Sequence, residues 1–160
     1  PGWWSGSPSP RHFEPEPKGY EMFNLDDIDK PVNIAEGSWV DDVPNHPGVR
    51  LKVRSRNYKP FNVAHDALLR SFGKRATQAH NSPVYQAKAG ALLAEHILLD
   101  WENAVQVKGK PAPYDKEIAV KVLTSTDERG MGQTFRDVVA YAAGIVADNH
   151  LGMAEDIAGN

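Results

Sequence analysis

The sequence predicts a mainly α fold of the α+β kind, a helical domain of about four helices with a small N-terminal β-hairpin. Two observations carry this. Apolar residues recur at spacings of three and four through most of the chain after Pro60, and a single stretch, Val49 to Arg54, alternates strictly. No strand–helix–strand alternation accompanies them, which argues against a parallel α/β sheet.

With 160 residues, 41% of them hydrophobic and 24% charged, the chain has the length and composition of one ordinary domain with a tail. The absence of cysteine excludes a disulfide scaffold, thiol catalysis and Cys-based metal sites. No run approaches the ~18 apolar residues of a membrane-spanning helix, so no membrane role is expected.

Residues 1–21 hold five prolines and no usable period, and read as an extended or disordered leader. Trp3 and Trp4 leave open a second reading, an arm docking on a neighbour. Residues 22–36 read as an acidic linker, 37–152 as the folded domain and 153–160 as a C-terminal tail. Ser38-Trp39-Val40 predicts a first strand and Pro44–Gly48 a turn. The second strand places Val49, Leu51 and Val53 on one side and Arg50, Lys52 and Arg54 on the other. Such a hairpin is marginal alone and needs a helix or a neighbouring subunit against it.

Four helices follow. Pro60 suits a first turn, and Phe61, Ala64, Leu68 and Phe72 recur at helical spacing up to Gly73. Ser82-Pro83 signals a second start, with Val84, Ala87, Ala91, Ala94, Leu98 and Trp101 on one stripe. Residues 104–114 read as a loop because of Gly109, Pro111 and Pro113. Asp115 caps a short helix with Ile118, Ala119, Val122 and Leu123. After a break at 124–132, Phe135, Val138, Val139, Ala142, Ile145, Val146 and Asn149 form the last stripe.

Reactive constellations are sparse. The six histidines show no metal-ligand spacing, and His65-Asp66 point about 100° apart on a helix. Gly130-Met131-Gly132 lacks the preceding strand of a phosphate loop and reads as a helix break. Asp100 and Glu102 have no second acidic pair that the sequence requires. No catalytic, cofactor-binding or metal-binding residue is therefore assigned, and no enzyme is expected. Trp101 ends an apolar stripe before a polar loop, which suits a core anchor; a partner hot spot is the other reading.

Charge is uneven. The net value is −3, yet residues 49–75 carry eight bases against Asp66 alone. Arg50, Lys52, Arg54 and Arg56 in this belt suit contact with a partner or subunit, and acids at 14–42 and 127–156 could complement them in a neighbouring copy. A homo-oligomer is expected on that ground and from the hairpin's open edges. Nucleic acid is disfavoured, because the belt lacks an aromatic stacking series.

The stretch from Leu98 to Gly144, LLDWENAVQVKGKPAPYDKEIAVKVLTSTDERGMGQTFRDVVAYAAG, resembles the tail assembly chaperones of long-tailed bacteriophages. The likeness lies in a helix ending in Asp100-Trp101, a loop with Gly109, then Tyr114-Asp115, a short helix and a last amphipathic one. Upstream, GSWVDD and VRLKVRSRNYKPF are similar to that family's opening, a strand with Trp39 and a basic strand ending at Arg54. It covers roughly residues 37–149. Gln106, Lys108 and Lys110 stand where acids would be usual. The resemblance implies a non-enzymatic late protein of the host cytoplasm, absent from the mature virion. Its partners would be the tape measure protein and, second, the tail tube protein. Two competing readings are a structural tail component (tip, terminator or connector) and a DNA-binding regulator.

Overall fold

A computed structural model describes residues 25–27 and 35–158. The chain divides into two units, Pro1–Pro31 and Val32–Asn160. In the first, the described part is one 3-10 turn, Leu25–Asp27. The leader 1–21 and most of the linker lie outside the described residues, Trp3 and Trp4 among them.

The second unit is mainly helical with a small antiparallel sheet. Strands β1 (Ser38–Val40) and β2 (Arg50–Val53) form the expected hairpin, with Val40 opposite Leu51 and Trp39 opposite Lys52. Alternation puts Leu51 and Val53 fully in the core. In the connecting turn, Asn45 and Gly48 both take positive φ, and Val49 N–H donates to the His46 carbonyl at 3.2 Å.

The hairpin is not alone. Strand β3 (Leu98–Glu102) pairs with the other edge of β2, giving the order β1-β2-β3, with Leu51 opposite Trp101 and Arg50 opposite Glu102. This corrects the expectation that Leu98 and Trp101 continue a helical stripe. An apolar run of this length fits either structure by period alone. Pairing decides it, because β2 otherwise leaves a row of unpaired backbone groups beside the core. The helical path ends in one π turn, Leu93–Ile97, and Leu98 is already extended at φ −76° and ψ 124°.

Helix α1 (Lys59–Phe72) carries Pro60 in its first turn and gives way at Gly73, φ +56°, to a 3-10 stretch, Gly73–Asn81. Helix α2 (Pro83–Leu92) starts at Ser82, whose Oγ accepts from Tyr85 N–H at 3.5 Å. Its buried side is rotated from the expected stripe: Tyr85 is buried, whereas Val84 is 57% exposed. The larger ring wins the interior, where it meets Phe72 and His80 edge-on and His65 Nε2 at 3.0 Å from its hydroxyl.

Residues 104–114 are more ordered than the expected loop. Strands β4 (Gln106–Val107) and β5 (Lys110–Pro111) form a short ribbon. Lys108 and Gly109, at φ +53° and +78°, supply the two left-handed positions that a tight hairpin needs. Helix α3 (Lys116–Leu123) is capped by Asp115, whose Oδ1 accepts from Glu117 and Ile118 N–H. Helix α4 (Met131–Ala158) continues into the stretch read as a tail.

The core gathers Leu51, Val53, Ile97, Leu98 and Trp101 from the sheet side and Leu123, Val139 and Val146 from the helices. On α4, Ala142, Ala143 and Ala147 are buried, small enough for backbone to approach, and Arg56 N–H donates to the Ala143 carbonyl. Asn149, expected on this stripe, is exposed. Gly90 lies against the Leu123 carbonyl so closely that a β-carbon there would collide with backbone, which locks α2 on α3.

Candidate functional site

An open apolar groove of about 540 Å³ runs beside the first turns of α4. One wall is Met131, Thr134, Phe135 and Val138 of α4 with Val122 of α3; the other is Ala104, Val105, Gln106 and Gly109 of the ribbon segment; His46 and Val49 close one side. Met131 is 63% exposed, an adaptable side chain at the rim.

The α4 wall is fixed by its own sequence. Asp127 Oδ2 accepts from Met131 N–H at 3.1 Å, and Oδ1 accepts from Gly132 N–H at 2.9 Å and from the Ser125 hydroxyl at 3.0 Å. The two backbone donors hold the Asp127 carboxyl below its ordinary value. Gly130, at φ +75°, makes the turn, and Gly132 leaves no room for a β-carbon against the Ser125 carbonyl. Inside, buried Arg136 donates through Nη1 to the Leu123 and Ser125 carbonyls at 2.8 and 2.6 Å. A cation there meets the negative end of α3 and joins its last turn to α4. Burial pushes the Arg136 guanidinium down from its ordinary value, and among the described residues Nη2 has no hydrogen-bond partner. Arg136 gave no sequence signal, because its position among acids and apolar residues looks like an ordinary helix face.

The ribbon wall hangs on Trp101. This residue is 3% exposed, and its indole N–H donates to the Ala112 carbonyl at 2.8 Å. Its ring meets Tyr114 edge-on at 4.9 Å and Phe135 at 6.2 Å. Ala112 N–H in turn donates to the Val105 carbonyl. Burial, with Asp100 and Asp115 nearby, raises the Tyr114 hydroxyl above its ordinary value. Asp100 Oδ1 accepts from Trp101 N–H at 2.8 Å. Trp101, Tyr114, Asp100 and Asp115 therefore belong to one neighbourhood, the support of the ribbon, and Gly109 forms the ribbon's turn.

Trp39 and the basic residues lie elsewhere. Register places Trp39, Arg50, Lys52, Asp100 and Glu102 together on the sheet face away from the core. Arg50 Nε donates to Asp41 at 2.6 Å and Nη1 to Glu102 at 2.9 Å, and its guanidinium lies 4.7 Å from the Trp39 ring centroid. These carboxylates hold the Arg50 cation above its ordinary value. Arg54 donates to the Ala35 and His96 carbonyls and covers Tyr58. Arg56 is exposed, with Asp148 at 3.9 Å. Arg50 and Arg54 of the belt are thus matched inside the chain by Asp41, Glu102 and backbone carbonyls. Linear counting cannot see an acid brought in from 52 residues away.

Among the described residues no group of three or more His, Asp and Glu side chains is placed to hold a metal ion. Also among them, no helix is long and apolar enough to cross a membrane. No curated protein and no solved structure matches the chain. The profile of the YdaY prophage protein family matches residues 56–160, well over half of the chain, from α1 through α4. The chain belongs to that family, and is a protein of bacteriophage origin.

Proposed function

We propose that this prophage protein is a non-enzymatic tail assembly chaperone, holding the tape measure protein in the host cytoplasm while tail tube subunits polymerise around it. The observation that carries the reading is the open apolar groove on α4, walled by side chains suited to an amphipathic helix. The ordered likeness of residues 37–149 to tail assembly chaperones supports it, as does membership of a prophage family. In this reading the chain works as a homo-oligomer and leaves before the particle is finished. With Arg50 and Arg54 bonded within the chain, Lys52 and the exposed Arg56, set only loosely against Asp148 at 3.9 Å, are left for subunit contacts.

Co-expression with the tape measure protein of the same prophage tests the proposal. The partner should become soluble and copurify with this chain, and purified particles should lack it. Recovery of the chain in stoichiometric amount from finished particles would replace the reading with a structural tail component.

A further inference from the structure

We infer that the groove seats a partner helix whose apolar stripe is bordered by carboxylates on the side facing the β4–β5 ribbon. The inference rests on the reading of this groove as the chaperone's docking surface, and adds the charge of what docks there. The two walls differ. On the α4 side the charge is mixed along the sequence, with Glu128 and Arg129 just before the helix and Asp137 within it. The ribbon side carries Lys108 and Lys110, one on each side of the lining residue Gly109, and no acid occurs from residue 104 to 113. Both lysines are exposed, and among the described residues neither has an ion-pair partner.

An apolar stripe fills the groove, and carboxylates one position off that stripe then stand opposite Lys108 and Lys110. The apolar contact supplies most of the affinity; the charge selects the orientation and the partner. A helix bordered by lysines would set like charges against the ribbon and be rejected.

The probes are two labelled synthetic helices of about five turns with the same leucine stripe, one bordered by glutamates and the other by lysines. Fluorescence anisotropy with the full chain should show the glutamate helix binding at least about tenfold tighter, with the preference shrinking in salt. K108E/K110E, two exposed changes, should reverse the preference. M131E should weaken both helices while leaving the circular dichroism melt unchanged. Equal binding of both helices, or an unaltered preference in K108E/K110E, would overturn the inference. So would light scattering in which M131E converts a self-associated chain to monomer, since the occupant would then be a second copy. If the glutamate helix binds as stated and the tape measure does not copurify, the chaperone reading fails alone. If the tape measure is retained equally by K108E/K110E, the groove assignment fails alone.

Discussion

Helices α1 and α4 are both amphipathic in sequence, yet they hold to the fold at different depths. Helix α4 buries Val139, Ala142, Ala143, Val146 and Ala147 to 2% exposure or less, whereas α1 buries no residue fully. The reason is what each faces. Helix α4 lies against the core side of the sheet and α3, with small residues that admit close approach. Helix α1 rests on α2 through rings, Phe72 and His65 meeting Tyr85 at centroid distances of 5.7 and 6.3 Å. Amphipathic spacing marks the side of a helix that turns inward, and neighbouring elements decide how far in it goes.

The difference can be broken most strongly at Trp101, which supports both the core under α4 and the ribbon wall. Trp101→Ala should cost about 3–5 kcal/mol of unfolding free energy, as loss of a buried aromatic does, read by denaturant titration. A fully stable variant that merely loses its partner would make Trp101 a hot spot instead of an anchor. Next is the α3–α4 joint. Arg136→Met keeps the stem but strips the Leu123 and Ser125 carbonyls of their donor, and about 1–3 kcal/mol should be lost. Removal of the unpartnered Nη2 offsets part of this, so a stabilised variant would mean that desolvation outweighs the two bonds.

On α1 the same kind of change should do less. Leu68 is half-buried, so Leu68→Ala should cost about 1–2 kcal/mol, below the range for fully buried leucines. A loss equal to that of Val139→Ala or larger would erase the contrast between the helices. Hydrogen exchange should rank them in the same order, with α1 amides opening before those of the buried part of α4.

The smallest effect is at the start of α4. The Asp127 carboxyl sits below its ordinary 3.8 because its charged form accepts the Met131 and Gly132 N–H bonds. Its folded pKa is depressed, so its stabilisation is complete above the ordinary value and fades as pH falls through the folded one. Melting temperature should therefore separate wild type from Asp127→Ala above about pH 4 and converge below it. A gap that persists at the lowest pH would place the effect of Asp127 outside its ionisation.

Much of this architecture was legible along the chain. The β1–β2 hairpin, the starts at Ser82 and Asp115, and the stripe of α4 each follow from short-range rules of period, capping and turn chemistry acting on adjacent residues. The buried Tyr85 and exposed Val84 were not, because neighbouring positions on α2 compete for one interior slot, and the competition is settled by rings from α1.

Sequence by itself determined the mainly α class, the polarity of β2 and the absence of cysteine chemistry, since these depend on composition and on neighbours a few residues apart. Tertiary structure alone decided that Leu98–Glu102 is a strand, that Asp41 and Glu102 neutralise Arg50, and that the ribbon and α4 enclose a groove. The physical reason is common to all three. Unpaired strand edges, uncompensated charges and apolar walls are satisfied by whatever group is nearest in space, and chain distance carries no record of that.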